Sequence, residues 1–241
     1  MTQRGTLSLA ALKMWSRNMK VPRKIVCNRM MILHGYWRSS ASYRVRIALA
    51  LKGVEVNHVT VNLRDGAQRE PEHCARNPQG FVPVLELEDG TQLTQSIAII
   101  DYLERAYPNP SLFPQDAVLR ANIFSASLTI AADIAPIQNL SVLKYIRAEH
   151  DRDDAGVKNW ARHWIATGFN ALETRAASSK TRFMFTDVPS LFEACLIPQA
   201  YNARRFGVDM RVFPRLSEID ATCRELPAFQ SAAPENQDDA F

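Results

Sequence analysis

Residues 36–53 read YWRSSASYRVRIALALKG, and they predict the turn and helix around which the chain folds. The apolar pair Ile32-Leu33 leads in as a short strand, serine hydroxyls cluster where a helix should begin, and Gly53 closes the helix. Backbone N–H groups at a helix start are unpaired, and the helix dipole adds about half a positive charge there. The stretch therefore predicts a strand, a turn and a helix whose first turn binds an anion.

The side chains of this turn indicate the chemistry of the anion. Thioredoxin-like redox proteins place C-x-x-C here, but residues 39–42 read SSAS and supply hydroxyls without a thiol. A serine hydroxyl at a helix start can stabilise a bound thiolate, because a charge-assisted hydrogen bond and the dipole lower a thiol pKa from about 8.5. The thiol would then arrive with a ligand. The alternative is an ordinary N-cap, since serine is among the commonest capping residues.

Strand and helix patterns alternate from residue 31 onward. The pattern predicts a strand at 31–35, a helix at 40–52 and a period-two strand at 56–62, and their short connections imply a right-handed βαβ unit with parallel strands. Residues 64–76 are polar and predict a loop with a short irregular helix. Asp89-Gly90 separates two apolar runs and predicts an antiparallel hairpin, which a helix follows up to residue 107.

The second half of the chain predicts helices alone. Three prolines in PNPSLFP, residues 108–114, indicate a linker. Helical patterns follow at 117–135, 140–149, 157–177, 190–205 and 215–225. Ser190 and Glu193 fit a capping box, to which we assign a role in folding.

The predicted organisation has five parts: a basic extension at 1–30, an α/β domain of order βαβ-α-ββα at 31–107, a linker at 108–116, an all-helical domain at 117–230 and a tail at 231–241. Residues 1–30 hold seven of the 29 Lys and Arg residues and no acid. We interpret them as an over-extended start or a disordered tail, with a targeting segment as the alternative. The rest carries 22 basic and 25 acidic groups, which argues against a nucleic-acid face.

Cysteine spacing and hydropathy indicate the cellular compartment in which we expect the protein. The cysteines lie far apart without metal-ligand or paired spacing, a pattern typical of a reducing compartment, and no metal site is expected. No apolar run approaches the ~18 residues that span a bilayer. We therefore expect a cytoplasmic protein without a membrane or nucleic-acid partner.

The run RSSASYRVRIAL, residues 38–49, resembles the signature of the zeta-class glutathione transferases, the maleylacetoacetate isomerases. PIQNLSVL at 136–143, NARRF at 202–206 and APENQ at 233–237 extend the resemblance over about residues 31–239. It implies a thioredoxin-like domain followed by a helical substrate-binding domain, glutathione as cofactor and a homodimer. The implied activity is the isomerisation of 4-maleylacetoacetate to 4-fumarylacetoacetate in the breakdown of tyrosine and phenylalanine.

The resemblance also implies roles for individual residues in binding glutathione. Ser39, helped by Ser40, would hold the thiolate. The pair Gln95 and Ser96 would hold the γ-glutamyl carboxylate at the start of the second helix, which Ser96 can cap. Backbone pairing falls to Val82, whose bond to Pro83 is usually cis in thioredoxin-like folds, and a further contact falls to Gln68. The alternative for Pro83 is a plain turn proline.

The substrate's two carboxylates, and the negative charge that develops on its carbonyl oxygen, need cations and amides that face the cleft. The candidates are Arg38, Gln138, Asn139 and Arg205, and the adjacent Arg204 leaves the choice of arginine open. Some zeta enzymes carry a cysteine where this chain has Ala41, so chemistry that needs a cysteine there is not expected.

Two other functions stay open. The same scaffold could act on maleylpyruvate or dehalogenate an α-haloacid, because the thiol site would be the same. The chain could instead be a glutathione-transferase-like binding module without turnover, since fold does not guarantee activity. The joint presence of Ser39, Ser40, Gln95 and Ser96 argues against this last function.

Overall fold

A computed structural model describes residues 30–240, so the expectation for the basic extension lies almost wholly outside the described residues. Four strands form one sheet: β1 (Ile32–Gly35), β2 (Asn57–Thr60), β3 (Val84–Glu86) and β4 (Gln92–Thr94). Their order is β2-β1-β3-β4. β1 pairs parallel with β2, and β3 pairs antiparallel with β1 and β4, which confirms the predicted βαβ unit and hairpin.

Helices of this first half are α1 (Ser40–Lys52), α2 (Pro71–Arg76) and α3 (Ser96–Ala106). Gly53 ends α1 in the left-handed conformation at φ 62°, where glycine has no steric penalty, as its place after the helix predicts. The strand predicted at 56–62 is shorter than expected, and Val59 in it is 42% exposed. All four residues of β2 are exposed, so its period-two pattern does not correspond to a covered face.

The second half contains helices α4 (Ala117–Leu128), α5 (Leu140–Glu149), α6 (Asp154–Ala176), α7 (Leu191–Arg205), α8 (Pro214–Arg224) and α9 (Pro227–Ala232). The prediction of one α-helix over 117–135 is wrong beyond Leu128, because Thr129–Ile134 forms a π-helix. In this wider turn Ile134 packs directly onto Gly168 of α6, where a Cβ atom would lie 2.3 Å from the Ile134 side chain. Hydrophobic spacing does not distinguish an α-turn from a π-turn.

One continuous core runs through both halves. It includes Leu33 and Ile47 from the first half and Phe169 and Leu196 from the second. Helix α1 packs against α3, α7 and α9, so the helix that opens at the serines contacts both halves. The domain bounds at 108–116 stay a prediction, because burial alone draws no boundary there. The thioredoxin-like α/β half followed by helices confirms the predicted fold class.

The capping box of helix α7 is buried. The Ser190 Oγ accepts from the Phe192 N–H at 3.2 Å and donates to the Glu193 Oε2 at 2.7 Å. Glu193 also accepts from the Ser190 and Met184 N–H groups, at 2.8 and 3.0 Å. Burial raises the Glu193 pKa, and these hydrogen bonds oppose that rise. The box therefore anchors the central helix, as its assigned role in folding predicts.

Replacing Ser190 with Ala should lower the free energy of unfolding by about 1–3 kcal/mol, because the cap is lost and buried Glu193 loses a donor. Urea denaturation followed by circular dichroism measures the change. Ser178→Ala, which alters an exposed serine, is the matched control. Equal stability of the two variants would contradict the structural role.

Candidate active site

Helix α1 begins with an N–H cluster that side chains of this chain satisfy only in part. Ser39 is the N-cap, and its Oγ accepts from the Ser42 N–H at 3.3 Å. Because this oxygen acts as acceptor, the Ser39 hydroxyl hydrogen remains available for donation to a ligand. The first turn of α1 carries no acidic residue, so no internal carboxylate competes for the positive end of the helix.

The turn before α1 is held closely against strand β1. The Ser39 N–H donates to the Tyr36 carbonyl at 3.0 Å, and the buried Ser42 Oγ accepts from the Tyr36 N–H at 3.5 Å. A Cβ atom on Gly35 would lie 3.1 Å from that Ser42 oxygen. The absence of a side chain at Gly35 thus lets the end of β1 approach the first turn of α1.

Ser40 connects the two halves of the chain. Its Oγ accepts from the Asn202 Nδ2 on helix α7 at 3.0 Å. Asn202 was not among the predicted site residues, although it lies in the NARRF run that carries the resemblance. Its contact with Ser40 spans 162 residues of sequence, and no local pattern points to it.

Residues around Val82 form the second wall of the site. Val82 packs in a small cluster with Tyr36 and Val61, next to the start of α1. Its peptide bond to Pro83 is cis, as the resemblance implies. Strand β3 pairs only from Val84 onward, so the Val82 main chain lies outside the sheet ladder.

Two side chains hold the loop that carries Val82. His73 Nε2 and Asn77 Nδ2 each contact the Phe81 carbonyl oxygen at 2.9 Å. Gln68 lies buried on the preceding 3₁₀ turn, and its Oε1 has no hydrogen-bond partner within the described residues. A buried amide oxygen of this kind is costly unless a ligand donates to it, which fits a bound peptide.

The start of helix α3 differs from the prediction that Ser96 caps it. Gln95 occupies the N-cap position without a side-chain cap hydrogen bond, and Ser96 is the first helical residue. Gln95 has φ 66° and ψ 113°, a strained conformation for a non-glycine residue, and its Nε2 donates to the Gln79 Oε1 at 2.9 Å. The Gln95 side chain therefore does not cap α3, and the first N–H groups of this helix remain available to a ligand.

A buried arginine engages the Ser96 side chain instead. The Arg44 Nη1 donates to the Ser96 Oγ at 3.2 Å, and Arg44 is 3% exposed. Within the described residues Arg44 has no salt-bridge partner, and its Nε has no hydrogen bond. Burial lowers its pKa. Since Ser96 accepts from Arg44, its hydroxyl hydrogen can be donated to an anion, whose charge would also compensate the buried guanidinium.

Arg38 and Arg205 bring two positive charges near the serines. Arg205 is exposed as a residue, but burial of its guanidinium, together with the charge of Arg38, lowers its pKa to about 10. Arg204 pairs with buried Asp220 instead. Among the described residues neither Arg38 nor Arg205 has an acidic partner within salt-bridge distance, so this pair is the better candidate for binding a carboxylate.

Tyr201 was missed by the sequence analysis and lies one helical turn before Arg205. Burial raises the pKa of the Tyr201 phenol and the carboxylate of Glu235 in the tail adds to the rise, whereas the charges of Arg205 and Arg38 oppose it. Tyr201 is thus a second phenol, beside Tyr36, in the surroundings of Arg205.

Gln138 and Asn139 make contacts that limit their predicted roles. The Gln138 Nε2 donates to the Gln199 Oε1 at 2.7 Å, and the buried Gln138 Oε1 has no partner within the described residues. The Asn139 Oδ1 accepts from the Val142 N–H at 3.0 Å and caps α5. Because Gln199 Nε2 is likewise without a partner within the described residues, the same pairing forms with both amides turned over, so Gln138 can present either an acceptor or a donor, and Asn139 keeps its amide hydrogens for donation.

Taken together, these groups suit a ligand with a thiolate and a carboxylate at separate ends. Two helix starts without acidic residues, those of α1 and α3, are joined by the Arg44 hydrogen bond to Ser96. The two arginines supply a third place for negative charge. Within residues 30–240 no cluster of His, Cys, Asp and Glu suits a metal ion.

Comparison with known proteins identifies the family. Residues 30–105 match the family model of the glutathione S-transferase N-terminal domain. The chain is 44% identical to a probable maleylacetoacetate isomerase of Vibrio cholerae, over 87% of this chain and 98% of that protein. It is 41% identical to a maleylpyruvate isomerase of a Ralstonia species, over 87% of this chain and 100% of that protein.

Solved structures agree with these relatives. The holo structure of a maleyl pyruvate isomerase, a bacterial glutathione-S-transferase in the zeta class, superposes with a TM-score of 0.85 at 40% identity, over 87% of this chain and 100% of the other. The maleylacetoacetate isomerase of Anaeromyxobacter dehalogenans, with glutathione bound in its active site, superposes with a TM-score of 0.80 at 41% identity, over 88% and 98%.

Replacing Arg44 with Gln should weaken glutathione binding about tenfold or more, because a hydrogen bond in a charged network contributes about 1.5–3 kcal/mol and 1.4 kcal/mol is tenfold in affinity. Isothermal titration calorimetry measures the dissociation constant. Arg105→Gln, on the exposed face of α3, is the control. An unchanged dissociation constant in Arg44→Gln would show that the buried charge does not act on the ligand.

Proposed function

Since the chain belongs to the zeta-class glutathione transferases, the family of the maleylacetoacetate isomerases, we propose that it converts 4-maleylacetoacetate to 4-fumarylacetoacetate with glutathione as cofactor. It is a glutathione-dependent cis–trans isomerase. The observation that carries the proposal is the serine hydroxyl at the start of α1, with no thiol of its own, next to the two arginines without acidic partners.

Bound glutathione supplies the thiolate that adds reversibly to the activated double bond, so that the former double bond can rotate. The Ser39 hydroxyl and the free N–H groups of α1 keep that thiol ionised, because both favour negative charge at the helix start. Gln95, Ser96 and Gln68 hold the rest of the tripeptide, and the Val82 main chain pairs with it. The resemblance supplies these assignments, and the uncapped start of α3, the Arg44 hydrogen bond to Ser96 and the unpaired Gln68 oxygen support them.

Arg38 and Arg205 bind the substrate carboxylates. Their mutual repulsion is relieved when an anion lies between them, and a guanidinium binds a carboxylate in bidentate fashion. The negative charge that develops on the substrate carbonyl oxygen needs a donor, and we assign it to Arg38 or to the side-chain amide of Gln138 or Asn139. Ser40 positions the serine turn through Asn202.

The alternative substrate is maleylpyruvate. It is favoured by the similarity to the Ralstonia maleylpyruvate isomerase and by the TM-score of 0.85 to a solved maleyl pyruvate isomerase. The decisive experiment compares kcat/KM for maleylacetoacetate and maleylpyruvate, each with and without glutathione. A higher kcat/KM for maleylacetoacetate supports the proposal, a higher one for maleylpyruvate selects the alternative, and turnover of neither refutes both.

We further propose a cytoplasmic enzyme of tyrosine and phenylalanine breakdown. Cys74, Cys195 and Cys223 are free thiols, which fits a reducing compartment. The pathway is the one that the resemblance to the maleylacetoacetate isomerases implies.

The chain should act as a homodimer. Helical residues Ala117–Ile134 are long and apolar enough to cross a membrane by length and composition alone, with a mean hydropathy of 1.3 and 28% of the segment buried, although Arg120 and Asp133 interrupt the apolar residues. Val118 is 71% exposed and Leu128 42% exposed on α4. Within the family a second copy of the chain is the occupant that we propose for this apolar face.

Val118→Asp should therefore convert the dimer to a monomer, because it places a charge in the centre of the apolar contact. Sedimentation velocity of the wild-type and variant proteins measures the change. The exposed Val212→Asp is the matched control. A wild-type protein that sediments as a monomer contradicts the proposed dimer.

Ser39→Ala should lower kcat/KM by about 10²-fold or more, the loss typical when one donor to a held anion is removed. Steady-state kinetics, with the pKa of bound glutathione taken from its thiolate absorbance, measure the effect. Ser39→Thr keeps the hydroxyl and should retain most activity. Full activity of Ser39→Ala would remove Ser39 from the thiolate site.

Arg205→Ala should raise KM for the dianionic substrate while kcat changes little, because carboxylate binding is present in the ground and transition states alike. The matched control is Arg204→Ala, whose guanidinium pairs with Asp220 and should leave KM unchanged. A fall in kcat alone for Arg205→Ala would place Arg205 in the chemical step instead.

A further inference from the structure

The tail of the chain reaches back to the serine turn. The Asp239 Oδ2 accepts from the Trp37 N–H at 3.0 Å, a contact that spans 202 residues of sequence. Trp37 lies two residues before Ser39, whose own N–H bonds to the Tyr36 carbonyl. Asp239 thus holds the peptide group between Tyr36 and Trp37, directly upstream of the thiolate-binding hydroxyl.

A second contact fixes the other side of Trp37. The Arg46 Nη2 donates to the Trp37 carbonyl at 2.9 Å, and the Arg46 Nε donates to the Ala232 carbonyl at the end of α9 at 3.0 Å. Arg46 is 6% exposed. Burial lowers its pKa to about 10, and the negative charge of Asp239 opposes that change. Both peptide groups that flank Trp37 are therefore tied to the C-terminal segment.

We propose that Asp239 is a positioning residue for the active-site turn and sets the place of the Ser39 hydroxyl relative to bound thiol. The proposal rests on the proposed function, in which Ser39 holds the glutathione thiolate. A charge-assisted hydrogen bond to a backbone N–H is stronger than a neutral one, so its loss frees the turn. A displacement of about 1 Å at a catalytic group can cost up to 10²-fold in rate.

The surroundings of Asp239 separate this role from core packing. Asp239 lines a cavity of about 160 Å³, together with Trp37, Arg46, His58 and the neighbouring Asp238. Shortening the side chain therefore removes little packing against the core. Asp238 is exposed, and within residues 30–240 no hydrogen bond joins it to the turn, so it is a matched control for the loss of one negative charge in the same cavity.

The test compares Asp239→Ala, Asp239→Asn and Asp238→Ala in the full chain. For each protein the pKa of bound glutathione is measured from thiolate absorbance against pH, kcat and KM from isomerase turnover, and the midpoint of thermal unfolding from circular dichroism. We expect Asp239→Ala to raise the thiol pKa by about one and to lower kcat/KM about tenfold. Asp239→Asn keeps an acceptor oxygen, so the acid dissociation constant of the thiol and kcat/KM should each stay within about threefold of their wild-type values.

Several outcomes would overturn the proposal. They are an unchanged thiol pKa in Asp239→Ala, an equal change in Asp238→Ala, failure of Asp239→Asn to restore the pKa, and an Asp239→Ala protein that does not fold. The thiol pKa is measured with glutathione alone. If the wild-type protein binds glutathione but isomerises neither maleyl substrate, the proposed function fails while the positioning role is still tested.

Discussion

The N–H groups at the start of helix α1 are the constraint on which the site depends. A helix cannot satisfy its own first N–H groups, and this one has a single serine oxygen as cap and no acidic side chain in its first turn. An anion from outside the chain completes the set. The helix cannot shift to find another partner, because α3, α7 and α9 pack around it.

The arginines of this helix explain an unusual pattern in its sequence. Arg44 and Arg46 interrupt an apolar helix, and both are buried. A buried cation is costly unless hydrogen-bonded or paired, and each of these contacts a different part of the site: Arg44 binds Ser96 at the start of α3, and Arg46 binds the Trp37 and Ala232 carbonyls. One helix thus contacts both the serine turn and the start of α3, the two ends of the proposed glutathione site.

The second half of the chain makes direct contacts with the serine turn. Asn202 on α7 binds the Ser40 hydroxyl, and the tail contacts the turn through Asp239. The continuous core explains why such contacts persist, since the two halves bury side chains together rather than meeting at a polar boundary. The serine turn therefore contacts the second half of the chain both through Asn202 and through the tail.

Local signals in the sequence determined the sheet order within the βαβ unit and hairpin, the ends of α1 at Ser39 and Gly53, and the capping box at Ser190, because each depends on residues within a few positions of one another. The resemblance supplied the identities of the site residues. Tertiary structure alone decided that the Ser96 hydroxyl accepts a hydrogen bond from Arg44 instead of capping α3. It also decided that Arg204 pairs with Asp220, which leaves Arg205 for an anion, and that Thr129–Ile134 widens to a π-helix. Those outcomes depend on which side chains meet across up to 52 residues of sequence, and periodicity carries no information about such meetings.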